Sequence, residues 1–309
     1  MTRLTHSDKG FIRSLQISRV QMFFFVEGGL DRPFVDRMAH IAFPGKTWQH
    51  QVIGMKEFPS GTGGKPALLS LFRLLRKNRQ LDYLAFGKRM VCAFFADKDI
   101  DDLTRKRVRS PHFIYTKTYD LEGHLFHSGN LIDAISDACL VTRQQAAALA
   151  GNSNAWLQRH AANWKEWLVL CIISYKNSVN TGCSYKRPSN INPNFLGQTD
   201  AAALATQSAA LQRAVGVTPA QFQTIFHSIE TNVSKSLSSP NPLRYFKGKW
   251  LQLILQKHLE ASPVIPDANF QGAGERVVST LVSQAGTRTP CRLCSPFVGE
   301  LQLLGASLP

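Results

Sequence analysis

The sequence contains few cysteines, few acidic residues and no long apolar run. Six scattered cysteines are too few for a disulfide scaffold of 309 residues, and the lone Cys291-x-x-Cys294 lacks the second pair of a zinc site. No apolar run approaches the ~18 residues of a membrane helix, and the N-terminus lacks the apolar segment of a secretory signal. Apolar residues still make up 44 % of the chain, which excludes a disordered or fibrous protein. We therefore expect a globular, cytoplasmic protein with no membrane partner.

Positive charge is in large excess. Lys and Arg number 36 against 21 Asp and Glu, which gives a formal net charge of +15. A protein this basic usually binds a polyanion, either nucleic acid or the acidic face of another protein. More than half of the acidic residues nevertheless lie within the first 125 residues. Acids gathered inside a basic region favour a metal site that acts on a phosphate backbone.

Apolar patterns divide the chain into two parts. In the first part, strand-like runs at 19–26, 47–55, 90–96 and 112–115 alternate with helical patterns. This alternation predicts an α/β fold with a mostly parallel sheet flanked by helices. The second part predicts only helices, at 142–150, 154–175, 201–215, 219–236 and 242–259. We predict an α/β domain over 1–125 and an α-helical domain over 126–309 that serves interaction, dimerisation or substrate binding.

Acidic residues follow two of the predicted strands. Glu27 comes after the first, and Asp97 and Asp99 come after the third. The carboxyl ends of parallel strands share one edge of a sheet, so these three side chains are expected to converge there. Carboxylate oxygens are ligands that Mg²⁺ prefers, and Mn²⁺ is an alternative. One or two such ions would suit phosphodiester hydrolysis, with two ions ~4 Å apart holding the attacking and leaving oxygens.

Further residues are candidates for the same site. Asp31 and Asp101 are possible metal ligands, although Asp101 is also typical of a helix-capping acid. Glu122, Lys98 and His124 are possible additional site residues, and Glu122 could instead pair with a basic neighbour. Candidates for nucleic-acid contact are Lys65, Arg105, Lys106, Arg107 and Arg109. Lys65 ends a Gly-rich loop that lacks the Lys-Ser/Thr end of an ATP-binding Walker motif.

The order of these acids resembles a known signature. Glu27-Gly28 after an apolar strand, followed some seventy residues later by Asp97-x-Asp99, is similar to the Toprim motif of topoisomerases, bacterial primases and OLD-type nucleases. The spacing of Asp31 resembles the OLD-like branch. The resemblance implies that Glu27 is the catalytic glutamate, that Asp97 and Asp99 bind metal, and that Asp31 is a second-metal ligand.

The longer string, which adds a Gly-Gly-Lys and a Tyr-Asp-x-Glu, resembles a Toprim-like family encoded beside ATPases in phage-defence loci. That resemblance implies a metal-dependent endoribonuclease that cleaves tRNA in abortive infection. It also implies an ABC-type ATPase partner, which holds the effector inactive until a phage protein acts on the ATPase, and an active homodimer. Two alternatives stay open: a Toprim nuclease that cleaves DNA, and a non-catalytic regulatory subunit of the same ATPase complex.

Overall fold

The computed structural model describes residues 7–58, 63–104, 106–192, 199–262, 270–287 and 291–308, without the side chain of Asp102. The chain forms two compact units. The first comprises Met1–Lys98, Arg107–Thr116 and Val282–Pro309, and the second comprises Asp99–Lys106 and Lys117–Leu281. Within the described ranges, no helix combines the length and apolar character needed to cross a membrane.

The described strands lie before residue 116, interspersed with helices, and the regular elements described beyond that point are helices. In chain order the elements are α1 (Asp8–Ile17), β1 (Met22–Val26), α2 (Asp31–Ala42), β2 (His50–Gly54), α3 (Gly64–Lys77), β3 (Asp82–Ala85), β4 (Lys88–Ala96), α4 (Asp101–Thr104), β5 (Phe113–Tyr115), α5 (Leu121–Ser128), α6 (Leu131–Cys139), α7 (Arg143–Ala150), α8 (Ser153–Asn163), α9 (Lys165–Lys176), α10 (Ala201–Val215), α11 (Pro219–Leu237), α12 (Gly248–Glu260), α13 (Ala273–Ser283) and α14 (Ser295–Gly305).

The sheet of the first unit confirms the predicted α/β class. β1 lies between β2 and β4 and is parallel to both, while β5 runs parallel to the last residues of β4. The sequence patterns did not predict β3, which pairs antiparallel with the first half of β4. Phe86 and Gly87 connect these two strands, both with positive φ, as a tight type I′ hairpin turn requires.

Aromatic side chains fill both faces of this sheet. β1 is buried along its whole length, as expected of a central parallel strand. On one face, Phe25 and Phe72 pack against Phe94 at ring-centroid distances of 5.0 and 5.3 Å. On the other face, Phe297 of α14 packs edge-to-face against Phe95 at 5.4 Å. The C-terminal helix α14 therefore completes the core of the first unit beside α2.

The second unit is built from helices, as the patterns predicted for most of its length. The single helix expected over 154–175 is instead two helices, because Trp164 has φ −99° and ψ 7° and separates α8 from α9. The helix expected from residue 242 begins at Gly248. Trp164 and Trp167 are fully buried, so they belong to the helical core.

Two glycines of α14 have opposite surroundings and provide a matched test of its packing. A Cβ at Gly305 would overlap the ring of Phe43, whereas a Cβ at the exposed Gly299 meets no atom within 4 Å. We expect Gly305→Ala to lower the free energy of unfolding by about 1–3 kcal/mol. Gly299→Ala should raise it by roughly 0.5–1 kcal/mol, because alanine loses less backbone entropy in a helix. Urea denaturation of both variants measures the difference, and equal effects would contradict the packing of α14.

The pKa of the buried His160 in the second unit predicts how the free energy of unfolding depends on pH. Burial, followed by the neighbouring His258 and Arg159, lowers the pKa of His160 to about 3, and the His160 and His258 rings lie 4.8 Å apart. The unfolded chain takes up the proton near pH 6.5, so the neutral ring contributes stability above that pH. We expect the free energy of unfolding to fall between pH 6.5 and 3, and His160→Gln to flatten that slope. Denaturation over this pH range tests it, and an unchanged slope in His160→Gln would contradict it.

Candidate functional site

Glu27 and Asp97 meet at the carboxyl edge of the sheet in the first unit. The register pairs Val26 of β1 with Phe95 of β4, so the residues that follow both strands emerge side by side. The backbone N–H of Asp97 donates to Oε1 of Glu27 at 2.9 Å, across 70 residues of sequence. The structure therefore brings together two of the acids that the sequence selected.

Asp31 lies at the end of the connection between β1 and α2. It is the first residue of α2 and is mostly buried, and its Oδ2 accepts a hydrogen bond from the Gly28 backbone N–H at 2.7 Å. A carboxylate at this position also interacts favourably with the N-terminal end of the helix dipole. The Asp31 carboxylate therefore accepts from the amide three residues earlier and stabilises the turn that follows Glu27.

Lys65 supplies positive charge at the same edge. Its Nζ donates to the backbone carbonyl of Asp97 at 2.6 Å and lies 5.5 Å from the centroid of the Tyr115 ring. The chain enters α3 through Gly63 and Gly64, which have φ of +84° and +66°, a conformation that side chains rarely adopt. The sequence predicted Lys65 as a nucleic-acid contact but gave no signal that it lies beside Asp97.

The other predicted basic residues differ in their surroundings. Within the first unit, Lys98 is buried, and its backbone N–H donates to Thr116 Oγ1 at 2.9 Å. Arg107 and Arg109 are exposed, and the Arg107 guanidinium lies 5.0 Å from the centroid of the Tyr115 ring. In the second unit, Lys106 lies 4.8 Å from the ring centroid of Tyr175. Arg105 falls outside the described residues.

Asp99 and Asp101 belong to the second unit. Asp99 has a left-handed φ of 51°, and its N–H donates to the Tyr119 carbonyl at 2.7 Å. Asp101 is buried at the start of the short helix α4. Their assignment as metal ligands stays a prediction.

Asp120 is the acidic residue that the site prediction passed over. Its Oδ1 accepts from the N–H of Gly123, at the start of α5, and from the N–H of Gly248, at the start of α12, at 2.9 and 2.8 Å. Its Oδ2 is buried and has no hydrogen-bond partner among the described residues. Burial, reinforced by the nearby Glu122, raises the pKa of Asp120 well above its usual range. The only sequence signal was its place in the Tyr-Asp-x-Glu string.

Charged residues surround Asp120 in the second unit. The Lys249 ammonium lies 3.6 Å from Oε1 of Glu122, which is the basic neighbour considered for this acid. Burial lowers the pKa of Lys247, although the nearby Asp120 carboxylate acts to raise it. His124 is buried, and its backbone N–H donates to the Asp120 carbonyl. The second unit therefore groups the buried Asp120 and Glu122 with the partly buried Lys247 and the exposed Lys249 where α5 and α12 begin.

The acids of the first unit fit Mg²⁺ by donor chemistry. Glu27, Asp31 and Asp97 offer oxygen ligands, and Mg²⁺ commonly keeps several waters and takes only one or two protein carboxylates. No choice of one carboxylate oxygen from each of these three residues places all three atoms within 4.8 Å of one another. In the described part of the chain, the group that meets this distance is Asp36, His40 and His50. A magnesium ion here would depend on water and substrate oxygens for much of its coordination shell.

Comparisons with known proteins leave the family open. No protein-family model matches the chain, and no curated protein shows significant similarity to it. The Toprim and OLD-like resemblance therefore stays a prediction based on the motif residues.

Asp120 is expected to stabilise two helices at once. Asp120→Ala removes the acceptor of both helix N-termini, whereas Asp200→Ala removes a single exposed cap, the bond from the Ala203 N–H to Asp200 Oδ1. One cap contributes about 0.5–2 kcal/mol. We therefore expect Asp120→Ala to lower the free energy of unfolding by about 1–2 kcal/mol more than Asp200→Ala.

Asp120→Asn separates the hydrogen bonds from the charge. It keeps the acceptor oxygen and removes a carboxylate whose ionised form is costly when buried. Chemical denaturation at pH 7 should show a loss below about 1 kcal/mol for this variant. Equal losses in Asp120→Asn and Asp120→Ala would show that the two backbone hydrogen bonds contribute little.

Proposed function

We propose that this protein is a magnesium-dependent phosphodiester hydrolase, an endoribonuclease whose substrate is tRNA. The observation that carries the proposal is the contact between Glu27 and Asp97 at the ends of two parallel strands, with the Lys65 ammonium on the Asp97 carbonyl. Ligands of α/β proteins bind outside the carboxyl ends of their strands. Carboxylates and an ammonium gathered there suit a substrate that carries phosphate and a divalent cation.

Each residue has a role that follows from its position. Glu27, Asp31 and Asp97 would hold the cation. When bound, Mg²⁺ would polarise the phosphodiester and make water a better nucleophile. The Lys65 ammonium would bind a phosphate oxygen and balance the charge that develops on it. The Glu27 carboxylate would accept the proton of the attacking water, since a positioned carboxylate is a suitable general base.

The charge of the chain supports a polyanionic substrate. The net charge is +15, and Arg107 and Arg109 are exposed in the first unit. Lysine and arginine contacts to phosphates dominate non-specific affinity for nucleic acids. RNA is favoured over DNA by the resemblance stated above, since charge and carboxylates suit both polymers.

The biological setting that we propose also rests on resemblance. The string of motifs is similar to AriB, the effector subunit of the PARIS anti-phage system, and implies a toxic effector that an ABC-type ATPase restrains in the cytoplasm. A phage trigger protein would act through the ATPase, and the released effector would be a homodimer. Restraint makes physical sense, because a basic protein with an open hydrolytic site would act on RNA indiscriminately.

Glu27→Gln is the sharpest test of the hydrolase. Glutamine keeps the size and the oxygen that accepts the Asp97 N–H, but it removes the charge needed for metal binding and proton transfer. We expect purified wild-type protein to cut tRNA with Mg²⁺ and to lose cleavage with EDTA. Glu27→Gln should reduce cleavage by about 10²–10⁴-fold. Lys65→Met should reduce it as well, while Glu275→Gln and Lys235→Met serve as exposed controls at wild-type rate.

Denaturing gels of tRNA and of single- and double-stranded DNA distinguish the alternatives. Fragments of DNA alone would favour the Toprim DNA nuclease. Cleavage that is equal in wild type and Glu27→Gln would contradict the site. No cleavage of any polymer, with or without Mg²⁺, would favour the non-catalytic subunit. Expression of each variant in cells, with total RNA examined for tRNA fragments, repeats the test without purification.

A further inference from the structure

A second set of possible metal ligands lies on α2 and at the start of β2, and it contains nitrogen donors. Asp36 and His40 are four residues apart on α2 and therefore lie on one face of the helix. His50 is the first residue of β2. One ligand atom from each of the three residues lies within 4.8 Å of the other two. The helix and the strand thus bring two imidazoles and a carboxylate close together.

The distances within this set are close to those of a metal centre. Asp36 Oδ1 lies 2.8 Å from His50 Nε2, and Asp36 Oδ2 lies 3.7 Å from His40 Nε2. Ligands bound tetrahedrally at Zn–N and Zn–O distances of about 2.0–2.2 Å are about 3.3 Å apart. The two observed distances lie on either side of that value.

The surroundings of His50 fix the direction of its ring. The His50 side chain is 6 % exposed, and its ring packs edge-to-face against Phe24 at 5.9 Å. Lys46 contacts Nδ1, the ring nitrogen on the opposite side from Asp36. The nitrogen that faces Asp36 is therefore Nε2. Zinc takes the lone pair of Nε2 and leaves the ring proton on Nδ1, so the Lys46 ammonium, which can only donate, would turn away when the ion binds.

The geometry points to a binding site for Zn²⁺ formed by Asp36, His40 and His50. Imidazole nitrogens with one carboxylate favour zinc over magnesium, which takes oxygen ligands. The Asp36 and His40 side chains are about half exposed or more, so water can take the fourth position. A bound ion would connect the second half of α2 to the beginning of β2. This inference does not depend on the proposed nuclease activity.

Counting bound zinc tests the inference directly. The full-length protein, untagged and stripped with chelator, is incubated with ZnCl₂ and desalted, and the retained zinc is measured per chain. We expect Asp36→Asn, His40→Ala and His50→Gln each to lower the count by one relative to wild type. His227→Ala is the matched control, because His227 is another exposed histidine beside a carboxylate, 3.2 Å from Glu230 on α11. It should retain the wild-type count.

Two further measurements distinguish the loss of this zinc site from unfolding of the variant and from zinc bound elsewhere in the protein. His40 is exposed on α2, so His40→Ala should keep the Tm of the metal-free protein while losing the rise in Tm that Zn²⁺ produces in wild type. Co²⁺ should give the visible bands of a tetrahedral ion in wild type and lose them in His40→Ala. Zinc held by Cys291 and Cys294 would remain in every histidine variant. An equal zinc count in wild type and His40→Ala, or no retained zinc, would overturn the inference.

Discussion

The parallel pairing of β1 with β4 is the interaction on which the first unit depends. Residues Met22–Val26 lie beside Val91–Phe95, and both of these segments are buried, so their backbone groups must be satisfied by the ladder itself. The same register sets Glu27 opposite the end of β4 and allows its carboxylate to accept the Asp97 N–H. Aromatic packing on both faces of the sheet and the acidic edge therefore follow from one strand pair. A shift of one residue would reverse every buried phenylalanine and separate the two acids.

The second unit depends on a different kind of constraint, a buried carboxyl group that serves two helices. Asp120 accepts from the first turns of α5 and α12, which approach so closely that a Cβ at Gly248 would overlap the backbone of Gly123. Burying a carboxylate costs free energy, and the two N–H groups and the helix dipoles offset part of that cost. Among the described residues the other oxygen has no hydrogen-bond partner, and burial together with the nearby Glu122 raises the pKa of this group. A buried acid with a raised pKa is also a common feature of functional sites.

Helix α2 carries two sets of possible metal ligands with different chemistry. At its first residue, Asp31 belongs with Glu27 and Asp97, all of them oxygen donors. Farther along, Asp36 and His40 meet His50 and add imidazole nitrogen. Hard cations favour the first set and zinc favours the second, so the two proposals concern different ions. α2 also packs against α14 through Phe34 and Ala42. Substitutions in either set of ligands therefore act on a helix whose packing is defined.

Local sequence patterns are enough to predict the α/β class, the central strands and the acids at their ends. Apolar runs of five or more residues mark buried strands locally, and Glu27 and Asp97 follow them directly. The short edge strand β3, half exposed, left no comparable pattern. Three contacts are visible only in the folded chain: Lys65 donates to the Asp97 carbonyl, Asp120 accepts from the Gly248 N–H, and α14 completes the first unit. These contacts join residues that are 32, 128 or more positions apart. They arise from how helices pack against the sheet or against one another, and no local spacing encodes that.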